Sequence, residues 1–352
     1  MLILTLNLGS TSSKVAIFDD DIEKYSETIR HDPSLLAEAK MPAEQFEFRK
    51  KNIYEAVEKA GYSFSDFDAV CSRGGLLKPV ESGTYEIDDN VLQDAQDLNL
   101  GGRQPHGLGL LIADAIRKEY GMPAYFCDPV STDELKDVAR VTGFKGMERI
   151  SRFHALNHKA VARKCAEAIG KSYEELNLIG IHLGGGTSVA AHEKGRCIEI
   201  HDCTEEGAFS MDRCGNLPTN QLVDYCYSGI DYSDIKYTFK REGGVFSYFG
   251  TSSMQDVEKM AASGNDEAVL IIDAFAYQHA KCVGEMAAAM RFKVDGIFIT
   301  GGIANSQLIV DKIKCYIEDL APIYLFPGEE EMQALAEGAL RVLRGQTKAR
   351  KY

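Results

Sequence analysis

Basic residues are in short supply in this chain. Lys and Arg total 39 against 53 Asp and Glu, a formal net charge of -14 over 352 residues. A surface of that sign repels phosphate backbones and anionic lipid headgroups, and no local basic patch offsets it, so neither nucleic acid nor a membrane surface is an expected partner. No apolar run is long enough to span a bilayer. The chain opens directly on a strand pattern, without a basic lead or a cleavage signature, and is expected to work in the cytoplasm. Its nine cysteines are odd in number, scattered and free of C-x-x-C spacing, which argues for reduced thiols and against a disulfide framework or a zinc site. Neither Gly-x-Gly-x-x-Gly nor a Walker A loop is present, so a dinucleotide fold and a P-loop fold both lose support.

What is present is an ordinary globular composition, 45% apolar and 26% charged, in a chain too long for one core and suited to two domains. Residues Met1–Asp20 read as a hairpin. Leu2–Leu8 and Ser13–Phe18 carry strand patterns around a turn of small residues, Gly9 to Ser12. Gly9 allows close backbone approach, Asn7, Ser10 and Ser12 offer neutral donors, and Lys14 adds positive charge, a set that can touch phosphate. The design repeats half a chain later, where strand Leu178–Leu183 runs into Gly184-Gly185-Gly186-Thr187-Ser188. Set without gaps, Asn7 falls on His182, Gly9 on Gly184, Ser12 on Thr187 and Ser13 on Ser188. A second echo pairs Asp68–Gly75 with Asp295–Gly302, both short strands ending in two glycines. Two echoes in the same order, at a spacing far beyond 20–50 residues, predict two related α/β halves rather than a solenoid.

Six motifs in order carry a resemblance: Asn7-x-Gly-Ser-x-Ser12, Ser72-Arg-Gly-Gly75, Phe153-His-x-x-x-His158, His182-Leu-Gly-Gly-Gly-Thr187, Arg213-x-Gly215 and Thr300-Gly-Gly-Ile-Ala-Asn305. Together they resemble the acetokinase family in its butyrate kinase branch, over essentially the whole chain. The resemblance implies a duplicated two-domain actin-like fold, shared with sugar kinases and heat-shock ATPases, with ATP in the interdomain cleft. The domains expected are 1–148 plus 330–352, the C-terminal helix returning to the first domain, and 149–329. It also implies reversible phosphoryl transfer between ATP and a short-chain carboxylate, giving an acyl phosphate and ADP with Mg²⁺, in a homodimer or larger homo-oligomer.

A carboxylate nucleophile ionises near the Glu value of about 4.3 and needs no general base at neutral pH. The site's task is then to suppress repulsion among anions by positioning and electrostatics. Arg73 and Arg213, each beside glycines, are the candidates to grip the carboxylate and the transferring phosphoryl group. His154 and His182 correspond to family histidines that hydrogen-bond the phosphoryl group in flight, while His158 fits a supporting role. Asp128, at a strand end, and Glu330 and Glu331 are candidates for Mg²⁺, with family alignment favouring Glu331. Gly184, Gly185, Gly186 and Thr187 would approach the β- and γ-phosphates, and Gly301, Gly302, Ile303 and Asn305 the adenosine side. Asn7, Ser10, Ser12 and Lys14 would face them, near where the phosphoryl group arrives. Family members commonly have Asn at Gly185 and Gly at Ala304, so individual contacts differ here. Gly74 directly after Arg73 is expected to enlarge the acyl pocket, with Phe153 lining it, which favours butyrate or a branched acid of similar size at about 0.8 kcal/mol per methylene. The alternatives are an acetate or propionate kinase, a sugar or polyol kinase of the same fold with Asp128 as base, and an actin-like structural or chaperone ATPase.

Overall fold

The computed structural model describes residues 1–39, 41–100, 102 and 105–352. The chain divides into two compact units. One comprises Met1–Asp133, Ala155–Asn157 and Glu330–Tyr352, and the other Glu134–His154 and His158–Glu329.

The first unit is built on a six-stranded sheet, order β3-β2-β1-β4-β6-β5. Its strands are β1 (Leu2–Leu8), β2 (Ser12–Asp19), β3 (Ile22–Arg30), β4 (Ala69–Arg73), β5 (Thr84–Glu86) and β6 (Ala124–Cys127). β1, β2 and β3 form an antiparallel meander, while β4 runs parallel to β1 and β6 parallel to β4. Its three longest helices are α1 (Phe46–Lys59), α2 (His106–Tyr120) and, from the far end of the chain, α6 (Glu331–Leu343). Both α2 and α6 pack on β1 and β4. β4 and β6 are accordingly runs of consecutive buried residues, as parallel strands covered on both faces must be. Leu4, Leu6, Val15, Ile53, Val70, Ile112 and Phe126 lie in the core between these layers.

The second unit repeats the plan with a five-stranded sheet, order β11-β10-β7-β8-β9. Its strands are β7 (Asn177–Leu183), β8 (Thr187–Glu193), β9 (Arg196–Asp202), β10 (Gly296–Gly301) and β11 (Ile323–Pro327). The run β3-β2-β1-β4-β6 matches β9-β8-β7-β10-β11 strand for strand, including which pairs are parallel. The duplication expected from the two sequence echoes is present in the topology. Helix α3 spans Ala155–Ile169 and belongs to this unit from His158 onward, and α4 spans Asp266–Ala289 and α5 Gln307–Ile317. The long α4 lays Ile271, Ile272, Phe275, Val283 and Met286 into the core of this unit.

Gly302–Asn305 is a single 3₁₀ turn, and α5 starts only after Ser306 caps it by accepting from the Ile309 amide at 3.2 Å. One local expectation is corrected: the gapless superposition of the hairpins slips by one residue. Leu8 pairs with Ser13 around Gly9–Ser12, whereas Leu183 pairs with Thr187 around the shorter Gly184–Gly186 turn. Ser188 therefore stands opposite His182 as Lys14 stands opposite Asn7, and a one-residue slip matters because it exchanges the faces of a strand.

Candidate active site

In the first unit the opening turn is held from beneath by a residue with no sequence signal. Arg49, on α1, is fully buried. Its guanidinium donates to the carbonyls of Gly9 (3.0 Å), Ser10 (3.1 Å) and Ser12 (3.2 Å) and to Ser13 Oγ (3.2 Å). Gln45, one helical turn earlier, accepts from Arg49 Nε at 2.9 Å. The turn's carbonyls thus point into the protein, and burial lowers the Arg49 pKa only to about 10, so the cation persists at neutral pH. Ser10 is exposed, and Ser12 and Lys14 are half-buried.

Asn7 and Arg73 converge on one oxygen. Asn7 Nδ2 donates to Glu331 Oε2 at 2.5 Å, and Arg73 Nη1 donates to the same atom at 3.0 Å. β1, β4 and the first turn of α6 supply the three side chains, and α6 is placed by its packing on both strands. The Arg73 and Glu331 side chains are only 17% and 12% exposed, so the pair is poorly screened by water. Asp128 is apart from this group among the contacts seen. Buried, with φ at +36°, it accepts through Oδ1 from Ser82 Oγ (2.7 Å) and the Gly83 amide (2.8 Å). One of its oxygens therefore pins the turn before β5. Glu330 is the residue immediately before α6. Gly74 does not open a pocket at its own position. A Cβ there would lie 2.9 Å from Pro129 Cβ and 3.2 Å from Phe126, so the missing side chain serves close packing.

In the second unit the Gly184–Gly186 turn gathers the other candidates. It is closed by Gly184 N–H to Gly186 O at 3.0 Å, and Gly185 O accepts from the Met211 amide at 3.3 Å. A Cβ on Gly186 would fall 2.5 Å from Arg213 Nη1 and 3.4 Å from His154, so glycine there is what lets the guanidinium lie over the turn. Arg213 Nη1 also reaches Thr204 Oγ1 at 3.5 Å, with Asp212 3.7 Å from Nε. His154, immediately before α3, stacks on His182 of β7, ring centroids 4.0 Å apart at 15°. Its Nδ1 is 2.8 Å from Ser188 Oγ. Phe153 is buried edge-on against His158 at 5.4 Å. Thr187 is buried and receives its partner at the amide, from which it donates to Cys203 Sγ at 3.2 Å.

The second paired glycine abuts the first. Gly301, at φ +94°, exchanges backbone hydrogen bonds with Gly328 at 3.1 and 3.0 Å, and a Cβ on it would strike Leu183 O at 2.2 Å. Asn305 Nδ2 is spent on Gly302 O at 3.0 Å, Gly302 is exposed and Ile303 half-buried. Glu329, the residue before the two candidate glutamates, lies by the glycine turn. A Cβ on Gly184 would be 3.6 Å from its Oε1 and 3.0 Å from His182 Nε2. Three consecutive glutamates carry no periodicity that would tell them apart, and the break between the units separates Glu329 from the other two.

Two sheets of matching hairpin-plus-parallel-strand order define the two-domain α/β fold of the actin-like, sugar and acetate kinase class. The chain belongs to the acetokinase family, whose profile matches residues 144–324, just over half its length. Members of that family transfer phosphoryl groups to a carboxyl acceptor. Among solved structures, the chain is similar to acetate kinase of Porphyromonas gingivalis (18% identity, 96% of this chain and 99% of that one, TM-score 0.76). It is also similar to a propionate kinase of Francisella tularensis (19%, 96% and 98%, TM-score 0.74). A ROK family protein of Streptococcus pneumoniae shares the fold more distantly (14%, 99% and 100%, TM-score 0.53).

Proposed function

We propose that the chain is an ATP-dependent kinase of butyrate, or of a branched short-chain acid of similar size, forming the acyl phosphate and ADP reversibly. The observation that carries the carboxylate reading is Arg73, a partly buried guanidinium at a strand end, held at Nη1 by Glu331 on the oxygen that Asn7 also occupies. A planar fork anchored on one side offers its remaining N–H groups to a second carboxylate. The acid's oxygen attacks the γ-phosphorus, the bond from that phosphorus to the bridging oxygen breaks, and ADP leaves with the electron pair. No proton has to move, because the acid is already ionised. Arg213, His154 and His182 stabilise the transferring group, and the Gly184–Thr187 and Gly301–Asn305 turns carry the nucleotide. Asn7 acts on turnover more than on ATP affinity.

Hard carboxylate oxygens of Glu331 and Glu330, neighbours at the start of α6, suit Mg²⁺, which would neutralise phosphate charge when bound, while Asp128, apart from them, holds the turn before β5. The case for the larger acid rests on the resemblance of the six motifs to the butyrate kinase branch, since the space at Gly74 is filled by Pro129 and Phe126. Acetate or propionate is the second reading, supported by the acceptors named for the two similar bacterial kinases. A hydroxamate assay of acyl phosphate with acetate, propionate, butyrate and 2-methylpropanoate tests both. Preference for acetate overturns the choice of acid, and phosphorylation of a sugar without acyl phosphate overturns the carboxylate reading.

The proposal extends to a homodimer working in the cytoplasm. Two stretches of the second unit expose apolar side chains in a way that a second copy would cover: Val138, Val141, Phe144, Met147 and Ile150, and Tyr227, Tyr232 and Tyr237. All nine cysteines are unbridged, as a reducing compartment requires. Among the described residues no helix is long and apolar enough to cross a membrane.

A further inference from the structure

Behind His154 runs a line of buried polar side chains that phosphoryl transfer does not itself require. Ser188 Oγ lies 2.8 Å from His154 Nδ1 and 3.0 Å from His158 Nε2. His158 Nδ1 lies 3.3 Å from His192 Nε2, and His192 Nδ1 lies 2.7 Å from the Tyr173 hydroxyl. His158 and His192 are completely buried, and Ser188 and Tyr173 nearly so. Space for the line is kept by Gly180, where a Cβ would sit 2.6 Å from His158 Nδ1.

We propose that this is a directional hydrogen-bond chain which fixes His154 in the tautomer protonated at Nε2, with Tyr173, His192, His158 and Ser188 as positioning residues for that donor. The inference rests on the reading of His154 as a donor to the transferring phosphoryl group. The direction follows from counting protons. Burial holds His158 at a pKa of about 3 and His192 well below its ordinary value, so each ring is neutral and carries one N–H. A phenol donates better than it accepts, so Tyr173 O–H gives to His192 Nδ1. His192 Nε2–H then gives to His158 Nδ1, His158 Nε2–H to Ser188 Oγ, and Ser188 O–H to His154 Nδ1. The one proton left on the His154 ring sits on Nε2, where an anionic oxygen can use it.

Removing the phenolic proton reverses the chain. In Tyr173→Phe the phenolic donor is gone, while Cys197 Sγ remains 3.4 Å from His192 Nδ1, and its sulfur can accept Nδ1–H. Every link then turns round and His154 becomes protonated at Nδ1. The test is ¹⁵N-histidine NMR of the full chain without substrates, His154 being assigned by its loss in His154→Gln. The expected result is Nε2–H in the wild type and Ser188→Thr, and mainly Nδ1–H in Tyr173→Phe, whose kcat falls about tenfold with KM for ATP unchanged. An Nδ1–H wild type, or a His154 unaltered in Tyr173→Phe, overturns the chain. Because the spectrum needs no turnover, the expected tautomers with no acyl phosphate formed would overturn the proposed reaction and leave the chain standing. If Tyr173→Phe fails to fold, Ser188→Ala takes its place, since it cuts the link to His154 and must release its tautomer; a His154 still held at Nε2–H in that variant overturns the chain.

Discussion

Arg73 and Glu331, 258 positions apart in the chain, form a partly buried ion pair at 3.0 Å, and Asn7 donates to the same carboxylate oxygen. The pair aims a guanidinium that would otherwise sample many rotamers. A charge-assisted hydrogen bond of this kind contributes about 1.5–3 kcal/mol. Glu331→Gln keeps the shape and removes the charge, so kcat for acyl phosphate formation is expected to fall at least about tenfold. The Mg²⁺ concentration for half-maximal rate should rise. Wild-type values for both would remove Glu331 from the site.

Two glycines beside the same turn should fail in different ways. Gly186→Ala places its methyl against the movable end of Arg213, so turnover is expected to drop while the urea midpoint stays within about 0.5 kcal/mol of wild type. Gly301→Ala meets the Leu183 carbonyl at 2.2 Å with φ at +94°, where backbone has to move, and a loss of stability of at least about 1–3 kcal/mol is expected. Equal stability losses would contradict the distinction.

The second unit contains a buried ion pair whose two single deletions differ from the double. Lys159 Nζ, fully buried, donates to Glu134 Oε2 at 2.5 Å and to Gly195 O at 2.8 Å. Lys159→Met strands a buried carboxylate and should cost about 3–5 kcal/mol by chemical denaturation. Lys159→Met with Glu134→Leu should cost clearly less, since replacing both members leaves no uncompensated charge.

Acid should unfold the protein earlier than its carboxylates alone would require. Burial lowers His158 and His106 to about 3, and His279 and His31 to about 4. In the unfolded chain these rings bind protons from about pH 6.5 downward, while the folded protein resists until far lower pH. The unfolded state then holds more protons, so stability is full above about 6.5 and falls with pH through the interval down to 3–4. Each ring can contribute up to about 1.4 kcal/mol per pH unit there. Denaturation midpoints followed from pH 7 to pH 4.5 should drop steadily, and a flat profile would show that the rings charge in place.

Assembly is testable at the exposed apolar stretches. Tyr227 is 88% and Phe144 68% exposed, so Tyr227→Asp and Phe144→Asp should leave monomer stability within about 0.5 kcal/mol. Sedimentation velocity should show the dimer weakened by at least one of them. A wild-type chain that is monomeric at micromolar concentration would refute the dimer.

The amino-acid sequence by itself determined the parts whose cause is local. Alternating or continuous apolar runs ended by glycine specify β1, β4, β7 and β10, because side-chain periodicity and turn chemistry act within a few residues. Their recurrence in the same order was enough to foresee two matching sheets, and the motif series was enough to place the chain among carboxylate kinases. Even so, a turn shortened by one residue was invisible until strand register showed it, since small residues fit either length.

Tertiary structure decided which side chains meet. Nothing near Gln45 or Arg49 marks a helical arginine as the support of a turn formed 36 to 40 positions earlier, because that contact depends on how α1 lies against the β1–β2 hairpin. Glu329, Glu330 and Glu331 are chemically identical in sequence, and only the chain's passage between the units gives Glu331 to Arg73 and Glu329 to the Gly184 turn. The line from Tyr173 to His154 joins α3, the single strand β8 and the 3₁₀ turn Tyr173–Glu175 through hydrogen bonds. Such directional contacts are made by packing, and no local pattern in the chain encodes them.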